Sequence, residues 1–196
     1  MKGKSTEIIS SGYAGDSRQL ERYNSINPPI YHASTVLFDN YAELKAAGQG
    51  AYQGFTYGTD GSPTKHAFEK AITELEGGFW TRAFPSGLLA ITSTLQAFLE
   101  SGDHLLICNS VYGPVRRFAR NVLDKYGVKT SYFPANVGAD IENYITPETR
   151  LILLESPGSN TFEIQDVPAV VKVARQHGIL TAIDNTWATP LNFQPF

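Results

Sequence analysis

"RLILLESPGSNTFEIQDVPAVVKVARQHGILTAID", residues 150–184, decides the fold. "RLILLE" is a near-continuous apolar run, the pattern of a strand buried on both sides. "SPGSNT" is rich in turn formers. Asp166 then opens a helix, "DVPAVVKVARQHG", which Gly178 closes. "ILTAID" is a second strand, ending on Asp184. Strand, helix and strand in this order form a βαβ unit, whose strands run parallel.

Upstream the alternation continues. "VKTSYF" is a strand, preceded by the helix "PVRRFARNVLDKYG", with Val115, Phe118, Val122 and Tyr126 inward and Gly127 as its stop. "HLLICN" is a strand. Before it, "PSG" leads into a helix with Leu88, Ile91, Leu95 and Leu99 on one face, ended at Gly102. Phe79–Phe84 is expected to be a short strand. "SPTKHAFEKAITELEGG" is a helix with Ser62 as N-cap, Pro63 at its first position and Gly77-Gly78 as its stop. Its apolar stripe is Phe68, Ala71, Ile72 and Leu75. The expected class is α/β, a mostly parallel sheet with helices on both faces. Residues 1–60 are irregular apart from a short helix around Tyr41–Ala47, and read as an N-terminal arm lying across another surface. Residues 61–196 read as the domain.

The chain has 196 residues, enough for one sizeable core. Its 42% hydrophobic and 18% charged content belong to a globular protein. A net charge of −3 without a basic run argues against nucleic acid or an anionic membrane as partner. No apolar stretch approaches a membrane span, and "MKGKSTEIISSGYAG" lacks a signal-peptide core, so a cytoplasmic location is expected. Cys108 alone makes neither an internal disulfide nor a multi-cysteine metal site, and reads as a small buried residue.

In an open parallel sheet, ligands bind beyond the carboxyl ends of the strands. Ser86-Gly87-Leu88 opens a helix, where backbone N–H groups meet an anion. Tyr112 follows one strand, "SPGSNT" another, and Asp184 ends the last. Singly these also read as a turn, a packing ring and a cap. Together they supply an anion cradle, an aromatic plate and a carboxylate. Pyridoxal phosphate needs that set, the acid keeping its pyridine nitrogen protonated.

The stretches "NPPIYHAST", "YGTDGSPT", "ELEGG", "SGDHLLICNSVYGP", "LLESPGSNT" and "IDNTWATP" resemble the cystathionine β-lyase branch of the pyridoxal-phosphate enzymes of cysteine and methionine metabolism. "ESPGS" and "DNTW" look more like β-lyases than γ-synthases or γ-lyases, which remain the alternative. The resemblance implies an aspartate-aminotransferase-like, fold type I large domain. By position, Gly87 and Leu88 would give N–H groups to the phosphate, and Tyr112 would stack on the pyridine. Asp184 would pair with the ring nitrogen, with Thr186 beside it. Ser159 would sit near the phenolic edge or the substrate carboxylate. Tyr57 would reach a partner subunit's phosphate, which implies a homo-oligomer, a dimer or tetramer. The implied reaction cleaves cystathionine, a small-molecule amino acid, to homocysteine, pyruvate and ammonia. A dinucleotide-binding protein is disfavoured, because no G-x-G-x-x-G follows a strand.

Two departures stand out. Thr59, followed by Asp60, occupies the position where many family members carry a phosphate-anchoring arginine. The family's Schiff-base lysine follows some two dozen residues after the aspartate, and no lysine follows Lys172 here. The expectation is therefore a large domain truncated before that lysine, inactive alone, or a non-catalytic oligomerisation module if the chain truly ends at Phe196. Trp187, Leu191, Phe193 and Phe196 are expected to lie uncovered.

Overall fold

The computed structural model describes residues 28–196; the first part of the expected arm, with Lys2 and Lys4, lies outside them. Two compact units are present, one reaching to Ala83 and including Gln194–Phe196, the other Phe84–Phe193.

In the first unit, helix α1 (Tyr41–Gly48) is capped by Asn40, whose side-chain oxygen accepts from the Glu43 N–H at 3.0 Å. Helix α2 (Pro63–Glu76) starts as its sequence dictates. The Ser62 hydroxyl accepts from the Lys65 N–H, Pro63 takes the first turn, and Gly77 closes the helix at φ 70°. The stripe of α2 is corrected. Phe68 is 55% exposed, whereas Glu69 is buried. Glu69 tolerates burial because its carboxylate accepts from the Ala83 N–H at 2.9 Å and faces Arg82 and Lys65 at 3.8 and 3.7 Å. The expected strand Phe79–Phe84 is also corrected: no strand forms there. Phe79 is 96% exposed, and the segment is held by Glu69 at Ala83 and a Thr73–Thr81 hydroxyl pair at 2.7 Å.

The second unit carries the sheet. Helix α3 (Gly87–Phe98) leads to β1 (His104–Cys108). Helix α4 (Gly113–Phe118) continues through a π turn (Ala119–Leu123) and a 3-10 turn (Asp124–Tyr126) to β2 (Lys129–Phe133). A 3-10 segment (Gly138–Tyr144) precedes β3 (Thr149–Glu155). Helix α5 (Val167–Gln176) leads to β4 (Leu180–Asp184), and a short α6 (Thr189–Asn192) follows. All pairings are parallel and the strand order is β2-β1-β3-β4.

The central strands β1 and β3 are buried at every position except Arg150, so both faces of the sheet are covered. Helix α3 packs beside α4, and α5 beside the 3-10 segment. Leu95 of α3, Val115 of α4 and Val170 of α5 enter the core with Leu106 and Ile152 of the strands. Each such side chain contributes about 1.5–3 kcal/mol by leaving water.

The inward face after β1 is corrected as well. Val115 is buried and Phe118 packs against the core, but the face continues through Ala119 and Leu123, while Tyr126 is 69% exposed. The π turn adds one residue to the helical register, which moves the buried positions from 122 to 123 and turns Tyr126 outward. β4 is the last strand of the sheet among the described residues, and Leu180 on it is 38% exposed. Trp187, Leu191 and Phe196 are exposed, as expected, but Phe193 packs against the core, and its carbonyl accepts from the Asn185 side chain at 3.0 Å.

Candidate functional site

Four segments of the second unit meet at the carboxyl ends of the strands. Helix α3 returns antiparallel into β1, so its N-terminus lies at that edge. Ser86 caps it, its hydroxyl accepting from the Leu89 N–H at 3.1 Å. The N–H groups of Gly87 and Leu88 have no acceptor among the described residues. A methyl built on Gly87 meets nothing within 4 Å, so the backbone there is open to an anion.

After β1 the chain turns through Asn109, Ser110 and Val111 to Tyr112, which stands 45% exposed at the start of α4. Its N–H donates to Oε2 of Glu155 at 2.7 Å. Glu155 ends β3 and is only 6% exposed. After β3, the N–H of Ser159 donates to the Ser110 carbonyl at 2.8 Å. The loops after β1 and β3 are thus stitched twice, once in each direction. The Ser156–Pro157 peptide is cis, and Gln165 holds the turn by donating its side-chain N–H to the Glu155 carbonyl at 3.0 Å.

Asp184 pairs in register with Glu155, so both carboxyl groups project from one face of the sheet. One oxygen of Asp184, Oδ1, accepts from the Thr186 N–H at 3.0 Å, a local turn bond that fixes the side chain and leaves Oδ2 without a partner among the described residues. Thr186 is exposed, and next to it Trp187 packs edge-to-face on Phe162 with ring centroids 5.2 Å apart. Burial pushes the Glu155 carboxyl above its usual range; the Tyr112 N–H opposes this and the Asp184 charge adds to it. Burial likewise pushes the Cys108 thiol up, in keeping with a buried, unreactive residue.

The site residues read from the sequence in the second unit, Gly87, Leu88, Tyr112, Ser159, Asp184 and Thr186, all lie at this edge. Tyr57 belongs to the first unit. There its ring is 46% exposed and its hydroxyl accepts from Ser34 at 3.2 Å. Asp60, three residues on, is occupied locally: its N–H bonds the Tyr57 carbonyl and its carboxylate accepts from the Thr56 hydroxyl at 2.7 Å. The lysines of the second unit lie elsewhere, Lys125 and Lys129 at the entry to β2 and Lys172 within α5. Sequence reasoning missed Glu155, although its signal, an acid ending an apolar run, is the one Asp184 gives.

These residues fit a phosphorylated pyridine. Free N–H groups stand at an open helix end, a half-exposed ring has no aromatic partner among the described residues, and a carboxylate keeps one oxygen free.

Residues 5–196 match the family described as "Cys/Met metabolism PLP-dependent enzyme". An L-alanine/L-glutamate racemase of Wolbachia pipientis is 41% identical over 181 residues, covering 87% of this chain and 44% of that protein. A cystathionine beta-lyase of Salmonella typhimurium is 40% identical over 194 residues, covering 96% and 48%. The crystal structure of cystathionine gamma-lyase from Lactobacillus plantarum, complexed with L-serine, superposes with a TM-score of 0.86 at 32% identity, covering 99% of this chain and 47% of that one. The chain spans about half the length of the curated relatives it matches. With its parallel sheet and the acid, the ring and the open helix end at one edge, the chain belongs to the pyridoxal-phosphate-dependent enzymes of cysteine and methionine metabolism, and its fold is that of the fold type I large domain in part.

Proposed function

We propose that this chain is the cofactor-binding part of a carbon–sulfur β-lyase that cleaves cystathionine, or a similar cysteine thioether, to a thiol, pyruvate and ammonia. The observation that carries the reading is the Asp184 carboxylate at the end of β4, locked by the Thr186 N–H with one oxygen free. Pyridoxal phosphate, when bound, supplies an electron sink for charge left at the substrate α-carbon.

Asp184 holds a proton on the pyridine nitrogen through its free oxygen. The Gly87 and Leu88 N–H groups take the phosphate, with the partial positive charge of α3 behind them. The Tyr112 ring forms one wall and excludes water from that side. Ser159 and Thr186 would flank the ring, Ser159 toward the phenolic edge or the substrate carboxylate. Tyr57 contributes to the phosphate site of a neighbouring subunit in a cytoplasmic homo-oligomer, with residues 1–60 as its arm and 61–196 in the large domain. No helix among the described residues is long and apolar enough to cross a membrane.

Product analysis of the full-length protein with cystathionine tests the reading. β-Cleavage gives homocysteine and pyruvate. The similarity to a cystathionine gamma-lyase motivates a second reading, in which cysteine and a four-carbon keto acid appear instead. The similarity to a racemase motivates a third, in which alanine or glutamate inverts and no keto acid forms. Asp184→Ala is expected to lower turnover by orders of magnitude; a near-normal rate would remove Asp184 from its role.

A further inference from the structure

Glu155 has no part in the functional reading above, yet it is the most constrained charge at the strand ends. Burying a carboxylate is costly unless hydrogen bonds or a cation compensate. Among the described residues no cation pairs with Glu155. Its neighbour in register is another acid, Asp184. What the carboxylate does hold is the Tyr112 N–H, at 2.7 Å across 43 residues of sequence. That N–H stands at the start of α4, where no side chain caps the helix. The Glu155 main chain is itself fixed by the β3 ladder and by Gln165 at its carbonyl, so the acceptor has little freedom to move.

We propose that Glu155 is a positioning residue for Tyr112: its buried carboxylate holds the Tyr112 N–H and thereby sets where the aromatic ring stands at the strand ends. The proposal rests on the stacking role assigned to Tyr112 and adds the group that places it. The β1–α4 turn is also tied to the next loop by the Ser159 N–H at the Ser110 carbonyl, two residues before Tyr112, and Ser159 also lies against the Glu155 carboxyl. Without Glu155 the Tyr112 peptide is free to turn, and the ring with it. Burial pushes the carboxyl above its usual range, and the Tyr112 N–H pulls it back. An amide oxygen at the same length can accept from the same N–H.

The test uses the full-length protein and the variants Glu155→Gln, Glu155→Met, Tyr112→Ala and the double variant Glu155→Met/Tyr112→Ala. Two quantities are read: the pyridoxal phosphate dissociation constant, and hydrogen exchange at the Tyr112 amide in protein stripped of cofactor. Glu155→Met should raise the dissociation constant roughly 10- to 100-fold, the range for losing a charge-assisted hydrogen bond. Glu155→Gln should stay within about threefold, because its amide oxygen still accepts. The double variant should bind no worse than Tyr112→Ala, since both changes remove one function. Tyr112 amide exchange should accelerate in Glu155→Met and not in Glu155→Gln. If Glu155→Met does not fold, Glu155→Asp, one methylene shorter, must show the same loss of affinity and faster exchange. Additive losses in the double variant, or unchanged exchange in Met and Asp, would overturn the proposal. A parent protein that binds no pyridoxal phosphate would refute the functional reading instead, while the exchange measurement, needing no cofactor, still decides the Glu155 contact.

Discussion

Replacing Gly158 by alanine should destabilise the loop after β3 through one identifiable collision. Gly158 is buried, its N–H donating to the Glu163 carbonyl at 3.0 Å and its carbonyl accepting from the Phe162 N–H at 3.1 Å. A methyl placed there runs into Ser110, striking the hydroxyl oxygen and approaching the Ser110 Cβ to 2.5 Å. The hydroxyl can rotate away, but the Cβ moves only with the backbone. That backbone is tied to the Ser159 N–H at 2.8 Å, and Ser110 is 7% exposed. Forcing an atom into so filled a site costs about 1–3 kcal/mol. At about 2–4 °C per kcal/mol for a chain of this size, Tm falls by roughly 2–12 °C. The assay is thermal unfolding of the parent, Gly158→Ala, Ser110→Gly and the double variant. Ser110→Gly removes the atoms that collide, so the double variant should recover part of the loss, with a coupling of about 0.5–3 kcal/mol. Unchanged stability in Gly158→Ala, or strictly additive losses, would refute the reasoning.

Tyr112→Phe should keep cofactor affinity, and Tyr112→Ala should weaken it at least roughly tenfold, read by equilibrium dialysis. Burial pushes the His104 imidazole below its ordinary 6.5, against the pull of Glu148. The unfolded chain therefore binds a proton that the folded one refuses, so this contribution is complete above about pH 6.5 and is lost as pH falls. His104→Asn should flatten that acid-side slope in urea midpoints. Residues 1–196 alone should release no pyruvate from cystathionine with added cofactor, since the lysines of the sheet-bearing unit, Lys125, Lys129 and Lys172, stand away from the strand ends.

The strands were legible because β1 and β3 are buried on both faces, which writes their core positions as unbroken apolar runs. The strand pattern also placed Tyr112, four residues past β1, and Asp184, the last residue of β4, at the carboxyl edge. Phe79–Phe84 misled because its aromatic residues favour strands, whereas a strand needs a neighbour and none forms there. Tyr126 misled because a π turn leaves no sequence signature and shifts every position after it. Glu155 escaped because its partner is a backbone N–H across the sheet, and such a group is anonymous in sequence.

The contact between Tyr112 and Glu155 also has a consequence for how the protein comes into being. Synthesis delivers Tyr112 first, and 43 residues must follow before its acceptor exists. β3 must then insert beside β1, on the side opposite β2, before the two loops can be stitched. Non-local parallel pairing of this kind is slow, because the chain loses loop entropy before any contact offsets it. The Tyr112–Glu155 contact therefore forms late. A nascent chain that has completed β1, α4 and β2 already owns much of its core, yet the acceptor of the Tyr112 N–H is still to be made.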